Sequence, residues 1–149
     1  MNYIEIEDYL NAGDLEGMLA KLTPIFIEVR ALGDTFLDSK VYNSGHEVKN
    51  TISQLNGYAS TLKVASIVID TFKTRKETVE FNRIKTATET AGGKFTATSG
   101  EKEASAFVDS ERRVRNLVDA YLHVCKDSII TGQSIMNYLT EEMKFNKGA

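Results

Sequence analysis

The chain is poor in the residues that interrupt helices or cross-link loops. Its 149 residues include one proline, one cysteine and no tryptophan. Proline lacks a backbone N–H and clashes with the preceding helical turn, so its scarcity removes the main obstacle to long helices. A single cysteine cannot form an intrachain disulfide and is typical of a reducing compartment. These absences favour a mostly helical protein in the cytoplasm, which for a viral protein is the cytoplasm of the host cell.

Long hydrophobic runs are also missing. The longest apolar stretch, residues 64–69, is interrupted by Ser66, whereas a membrane-spanning helix needs about 20 apolar residues. The first eight residues are acidic where a signal peptide requires a positively charged start. The sequence therefore predicts no association with a membrane.

Residues with catalytic or metal-binding chemistry are few and scattered. The two histidines, His46 and His123, lie far apart, and a zinc site needs three or four convergent ligands. Cys125 is two residues from His123, so on a helix their side chains diverge. The Gly92-Gly93-Lys94 segment lacks the spacing of a phosphate-binding loop. We predict no catalytic residue, no metal, no cofactor and no enzymatic activity.

Two long helical patterns dominate the chain, and a glycine-containing break separates them. They predict an all-α fold, a long antiparallel helical hairpin of coiled-coil type with shorter N-terminal helices packed on it. The arms are expected at residues 46–90 and 101–145, the turn at 91–100 and the short helices within 1–45. The whole of 1–149 is expected to form one domain.

The apolar residues of each arm follow the alternating steps of three and four that define a helix-packing seam. In the first arm the seam consists of Val48, Ile52, Leu55, Ala59, Leu62, Ser66 and Ile69. In the second arm it consists, with one local departure from the heptad spacing, of Phe107, Val114, Val118, Tyr121, Cys125, Ile129, Gly132, Met136, Leu139 and Met143.

Local signals suggest where the helices begin. Asp14 is a suitable N-cap for a short helix ending near Lys21, because its carboxylate can accept free backbone N–H groups. Thr23 followed by Pro24 predicts a new helix from residue 24 to about residue 42, since proline is well tolerated in the first helical turn. Thr98 and Glu101 have the spacing of a capping box at the start of the second arm.

The apolar face of the hairpin is wider than one partner helix can cover. Ile67, Val68, Leu117 and Leu122, among others, lie beside the seams. We therefore expect a homo-oligomer. The predicted oligomer interface consists of Leu55, Leu62, Ile69, Val118, Tyr121, Ile129, Met136 and Leu139.

Positive charge is concentrated near the turn. Residues 71–115 contain ten basic and seven acidic residues, whereas residues 1–40 contain three basic and eight acidic ones. Phosphates attract lysine and arginine, and bases stack on aromatic rings, so this region is a candidate for binding single-stranded DNA. The alternative is a solvated helical tip in which the acids pair with the bases. The candidate nucleic-acid-binding residues are Lys73, Arg75, Lys76, Arg83, Lys85, Lys94, Arg112, Arg113, Arg115, Phe81 and Phe95.

Three stretches of the second arm, residues 98–106, 118–121 and 130–139, resemble UvsY-type phage recombination mediators. The last of them reads Ile-Thr-Gly-Gln-Ser-Ile-Met-Asn-Tyr-Leu, and the resemblance covers residues 47–143. It implies a ring-forming oligomer that binds single-stranded DNA. It also implies that the protein helps to load a recombinase onto strands covered by single-strand-binding protein.

Two functional hypotheses follow. The first is a non-enzymatic oligomer that binds single-stranded DNA in phage-type recombination or repair. The second is a helical structural or protein-interaction module, such as a virion or scaffold component or an inhibitor of a host protein, without affinity for nucleic acid. Here the acidic N-terminal segment and the apolar face would be the binding surface.

Overall fold

The computed structural model describes residues 1–38 and 44–148, which form five helices and no strands. The all-α prediction is confirmed. The helices are α1 (Tyr3–Ala12), α2 (Leu15–Thr35), α3 (Gly45–Thr90), α4 (Ala97–Phe107) and α5 (Asp109–Gly148).

The predicted antiparallel hairpin is also confirmed, with α3 packed along α5. Four residues of α3, Val48, Leu55, Leu62 and Ile69, follow each other at intervals of seven and are fully buried. A spacing of seven residues keeps side chains on one side of a helix. The core of the molecule therefore follows the seam that the heptad pattern predicts.

The first two helices form their own small hairpin against this pair. Asn2 caps α1, with a reciprocal hydrogen bond between its backbone and the Glu5 side chain. Gly13 ends α1 in the left-handed conformation, with φ of 70°, which glycine adopts without steric cost. The Asp14 side chain then accepts a hydrogen bond from the Gly17 N–H, so the predicted cap of the next helix is confirmed.

The predicted helix start at Thr23-Pro24 is wrong, because α2 continues through Pro24. The Thr23 hydroxyl donates to the Leu19 carbonyl four residues earlier and caps no helix. A proline inside a helix costs about 3 kcal/mol relative to alanine. The burial of four side chains on both sides of the proline offsets this cost and keeps α2 in one piece. These are Met18, Leu22, Phe26 and Val29.

The predicted end of α2 also needs correction. The helix ends at Thr35, with Phe36 as its C-cap. Residues 39–42 of the predicted helix lie outside the described residues.

The second arm of the hairpin is broken. Helix α4 ends at Phe107, Val108 forms a turn, and α5 begins at Asp109. The predicted capping box at Thr98 and Glu101 is wrong, because α4 already begins at Ala97 and both residues lie within the helix. The predicted turn is accordingly shorter, covering residues 91–96.

Gly132 of α5 lies where three helical segments meet. A Cβ atom on this residue would stand 2.7 Å from Ile52 of α3 and 2.7 Å from Phe36 at the end of α2. The absence of a side chain on Gly132 thus allows α2 and α3 to approach α5 closely. In contrast, a Cβ on Gly57 of α3 would meet no atom within 4 Å.

These two glycines should respond oppositely to replacement by alanine. Gly57→Ala is expected to stabilise the fold by about 0.5–1 kcal/mol, because alanine is the better helix former. Gly132→Ala is expected to destabilise it by about 1–3 kcal/mol, because the added methyl overfills the contact. Urea denaturation followed by circular dichroism measures both changes. A stabilising Gly132→Ala would show that α2 and α3 do not approach α5 this closely.

Candidate nucleic-acid interface

The candidate DNA-binding residues fall on one part of the fold, residues 70–115, which we call the distal hairpin. It comprises the last half of α3, the turn, α4 and the start of α5. At the turn, Gly92 adopts φ of +73°, and the Gly93 N–H donates to the Thr88 carbonyl. The structure thus brings the predicted residues to one end of the molecule.

The two aromatic candidates close the turn from inside. Phe81 and Phe95 pack edge to face, with ring centroids 5.5 Å apart. Gly100 of α4 lies beneath them, and a Cβ at this position would stand 2.6 Å from the Phe95 ring. Both rings are only partly exposed. The two rings therefore hold α4 against α3. Because they already pack within the chain, the structure does not favour the predicted stacking of these rings on bases.

Three of the basic candidates bind acidic residues across the α3–α5 contact. The first pair joins Lys76 to Glu111, whose side chain is only 6% exposed. The second joins Arg112 to Glu77 at 3.6 Å.

Arg112 also donates to the backbone carbonyl and the hydroxyl of Ser105, so it spans the break between α4 and α5. Arg115 lies 3.5 Å from Asp70 on α3 and 3.2 Å from Asp119 on its own helix. Asp119 in turn accepts a hydrogen bond from Ser66 of α3. These contacts join the two arms where the apolar seam weakens.

Three further basic candidates have carboxylate partners on their own helix. Lys73 lies 3.1 Å from Asp70, and Arg113 lies 2.8 Å from Asp109. Arg83 donates two hydrogen bonds to the Glu80 carboxylate, which lowers the pKa of Glu80 and raises that of Arg83. These cations are already neutralised in part before any phosphate approaches.

The remaining basic candidates are Arg75, Lys85 and Lys94, which are exposed. Together with Lys102, they form no ion pair within residues 1–38 and 44–148. The outermost part of the hairpin, residues 76–108, has five basic and five acidic residues. Its surface is therefore closer to the alternative of a solvated, ion-paired tip than to a strongly positive patch.

Sequence reasoning gave the pairing of acids with bases only as a general alternative and did not identify the acidic residues involved. The basic residues were chosen by their density, whereas their partners Asp70, Glu77, Glu111 and Asp119 were not assigned a role. The seams contained the necessary signal. The antiparallel register of the two arms places residues near 70–77 opposite residues near 111–119, so the pairs could have been inferred from the heptads.

The predicted oligomer interface needs correction. Leu55, Leu62, Ile69 and Val118 have no exposed surface, so a second chain cannot reach them without opening the fold. Tyr121 stacks on Phe26 of α2, with ring centroids 4.2 Å apart and an interplanar angle of 11°. The other three predicted residues, which pack against the same core and are partly buried, are Ile129, Met136 and Leu139. The N-terminal helices cover the face that the prediction assigned to other subunits.

A groove between α2 and α5 remains open. Arg30, Asp34, Ala120, Tyr121 and Val124 line it, with a volume of about 330 Å³. Apolar residues continue this face along both helices. On α2, Ile27 precedes Arg30 by three residues and is 63% exposed, and on α5 Leu117 precedes Ala120 by three and is 40% exposed. We call this surface the α2/α5 face.

A second cleft, of about 590 Å³, lies beside α1 and the start of α2. Its acidic residues include Glu5, Asp8 and Asp14. Two of them are already engaged locally, since Glu5 accepts from the Asn2 N–H and Asp14 accepts from the Gly17 N–H. The other charged side chains that line the cleft, Asp8 and Lys21, form no ion pair within residues 1–38 and 44–148.

The remaining reactive side chains are isolated. Cys125 is fully buried, and burial raises the pKa of its thiol to about 11, so it stays protonated and unreactive at neutral pH. The His46 ring nitrogen lies 3.1 Å from the Asn50 amide. No group of three or more potential metal ligands occurs in the part of the chain that the structure describes. Among the described helices, none has a stretch apolar and long enough to cross a bilayer.

Comparisons with known proteins do not assign this arrangement to a family. No family model, curated protein or solved structure matches the chain. The resemblance to UvsY-type mediators therefore remains a hypothesis.

Proposed function

We propose that this protein is a non-enzymatic interaction module that binds a partner protein through the α2/α5 face. The observation that supports the proposal is the contrast between its two candidate surfaces. Six of the nine basic candidates of the distal hairpin pair with carboxylates. The α2/α5 face instead exposes large apolar side chains around an open groove.

The chemistry of this face suits a protein partner. Ile27, Leu117 and Val124 can enter a complementary apolar surface, since buried apolar area is the main favourable term in association. Arg30 and Asp34 at the edge of the groove can provide directional polar contacts. An amphipathic helix is a suitable occupant, because it would lie along the groove between two roughly parallel helices.

The proposal is tested by affinity capture with matched variants. The double variant Ile27→Glu/Val124→Glu places charges on the α2/α5 face, and Ile130→Glu places one on another exposed part of α5. Immobilised chains are incubated with extract of the cells that produce the protein, and the captured proteins are quantified by mass spectrometry.

We expect a partner whose capture falls at least about tenfold in the double variant, equivalent to about 1.4 kcal/mol of binding free energy. Capture by Ile130→Glu should stay near the wild-type level. Circular dichroism must show equal helicity in all three chains. Equal capture by wild type and the double variant would contradict the proposal.

Binding of single-stranded DNA is the second candidate, and it is favoured by the four cations of the distal hairpin that form no ion pair with any residue the structure describes. Such a protein could also contact a recombinase or a single-strand-binding protein, as the resemblance implies. If Arg75, Lys85, Lys94 and Lys102 each contact one phosphate, the logarithm of the binding constant should fall with the logarithm of salt concentration with a slope of about −3. Fluorescence anisotropy with a labelled oligonucleotide measures this slope.

The variants for this test must spare the intramolecular ion pairs. Arg75→Glu/Lys85→Glu removes two unpaired cations, and Lys49→Glu/Lys126→Glu changes the net charge equally at exposed sites outside the distal hairpin. Weaker binding by the first variant alone supports DNA binding at this surface. Absence of binding by wild type at low salt excludes it.

A further inference from the structure

The inward side of α3 changes in chemistry along its length. Its buried apolar series at intervals of seven ends at Ile69, and the next interval leads to Lys76. After Ile69 the next buried residue of α3 is Glu80. Inward positions that are apolar nearer the start of α3 are thus charged toward the turn.

The inward side of α5 changes at the same level. Seven residues before the fully buried Val118 lies Glu111, and its buried carboxylate binds Lys76 of α3. Within the described chain, the main hydrophobic core contains no residue between Phe72 and Val114. The Lys76–Glu111 pair therefore marks the end of the continuous apolar core.

Beyond this pair lies a section that we call the hairpin end, residues 77–110. It comprises the last part of α3, the turn, α4 and the first residues of α5. The contacts that close it come from few apolar side chains. Ala104 and Val108 are buried, and the rings of Phe81 and Phe95 pack on each other. Little apolar area is thus buried here, although such burial is the main favourable term in folding.

Helix α4 depends on these contacts for its own stability. It has 11 residues, too few for an isolated helix to be stable in water. The Thr96 side chain makes no capping hydrogen bond at its start, and a turn at Val108 separates α4 from α5. Loss of the contact with α3 should therefore unfold α4 as well.

The ion pairs hold this section less firmly than apolar packing would. A buried pair such as Lys76–Glu111 loses much of its attraction to the cost of removing both charges from water. The Glu80 carboxylate pairs with Arg83 of the same helix, so this pair does not join α3 to α4. The hairpin end should therefore be closed by weaker interactions than those of the apolar core.

We propose that the hairpin end opens as one unit while the rest of the fold stays intact, with the Lys76–Glu111 pair at the boundary. Proteins open in cooperative units, and units with few buried apolar contacts open most readily. Opening separates α4 from α3 and uncovers Phe81, Phe95 and Val108. A ligand that binds this surface only in the open form would shift the chain toward that form.

This inference goes beyond the proposed function and does not depend on it, because the α2/α5 face lies outside the hairpin end. The apolar residues of that face, Ile27, Leu117 and Val124, belong to segments that stay folded in the open form. Binding at the α2/α5 face and opening of the hairpin end can therefore be measured separately.

The first test measures amide hydrogen exchange of the wild-type chain by mass spectrometry at several low concentrations of urea. We expect the amides of residues 77–90 and 97–107 to exchange at least about tenfold faster than those of residues 48–70 and 115–135. The amides of the two faster segments should share one urea dependence. This dependence should be greater than zero and smaller than that of the core, because opening exposes only part of the surface that global unfolding exposes. Equal exchange in the two regions, or exchange of the hairpin end that does not respond to urea, would overturn the proposal.

Two variants test whether this opening occurs without global unfolding. Phe26→Ala removes a contact with Tyr121 that persists when the hairpin end opens. It should raise exchange in the core at least about 100-fold and exchange in the hairpin end by no more than about twofold. Lys76→Met should raise exchange in the hairpin end at least about tenfold. An equal rise in both regions for Phe26→Ala would show that the chain opens only as a whole.

The third test compares two valines that are equally buried. Val108 of the hairpin end and Val118 of the core have no exposed surface, and each is replaced by cysteine. The thiol introduced by Val108→Cys should react with a disulfide reagent at least about tenfold faster than the thiol introduced by Val118→Cys. Cys125, which is buried in the core, is the internal reference in both chains. Equally slow reaction of both introduced thiols would contradict the proposed opening.

Discussion

Replacing Phe26 by alanine is expected to lower the free energy of unfolding by about 3–5 kcal/mol, the usual cost of removing a buried aromatic side chain. Phe26 is 5% exposed and stacks on Tyr121 at a centroid distance of 4.2 Å. The stacked pair adds a specific contact to the buried area, since offset aromatic rings attract each other beyond simple burial. The loss should be large because Phe26 joins α2 to α5 near the middle of their contact.

The adjacent residue provides a matched control. Ile27 is 63% exposed, so Ile27→Ala should change the stability by no more than about 0.5 kcal/mol. Both variants are measured by urea denaturation followed by circular dichroism, because the chain has no tryptophan. A loss below about 1 kcal/mol for Phe26→Ala would mean that α2 is only loosely attached to α5.

Lys76→Met is expected to destabilise the fold by about 3 kcal/mol, the lower end of the cost of breaking a buried ion pair. The Glu111 side chain is 6% exposed and would lose its cation, whereas Lys76 is 35% exposed. Lys76 also lies 4.9 Å from the centre of the Phe107 ring. The lower end of the range applies because water can reach the lysine.

The same difference in exposure predicts an asymmetry between the two partners. Glu111→Met should cost less than Lys76→Met, because the released lysine keeps access to water and to the Phe107 ring. The double variant should recover much of the loss, because it leaves no unpaired charge and adds apolar surface. Arg113→Met, which removes an ion pair whose arginine is 81% exposed, is the control and should cost no more than about 0.5 kcal/mol.

Thermodynamic coupling between Lys76 and Glu111 is obtained from the double-mutant cycle. If both single variants lose the same free energy of unfolding and the double variant loses the sum of the two, the pair in solution is not buried in the way that the structure shows. In that case the distal hairpin would be held by Val108 and Ala104 rather than by its ion pairs.

The hairpin could be predicted because its signal lies in local spacing. Leu55, Leu62 and Ile69 recur at intervals of seven in the sequence, and the geometry of a helix converts that interval directly into one buried side. The Asp14 cap was predictable for the same reason, since a cap involves groups only three residues apart. Neither inference requires knowledge of the rest of the fold.

Predictions failed where contacts distant in sequence outweigh local preference. Proline favours the start of a helix, yet Pro24 lies inside α2 because the side chains before and after it are buried together. Leu62 and Val118 were assigned to a subunit interface, but they are buried within one chain. The spacing of the apolar residues indicated that they form a buried face. It did not show how many helices of the same chain cover that face.

The candidate binding site shows the same difference between what the local sequence indicates and what contacts distant in sequence decide. The sequence indicated that cations gather near the turn, and the structure places them there. Whether a cation is free depends on which carboxylate lies opposite, and for Arg112 this is Glu77, 35 residues away. The distinction between Arg75, which has no ion-pair partner in the described chain, and Arg115, which has two carboxylates nearby, is a property of helix register.

The sequence by itself determined the helical class, the hairpin and the seam between its arms, because these depend on periodicity along single helices. Only the tertiary structure decided how the seams are covered, which cations are neutralised and which faces remain open. These outcomes depend on the packing of α1 and α2, since a side chain is buried or exposed according to its neighbours in space.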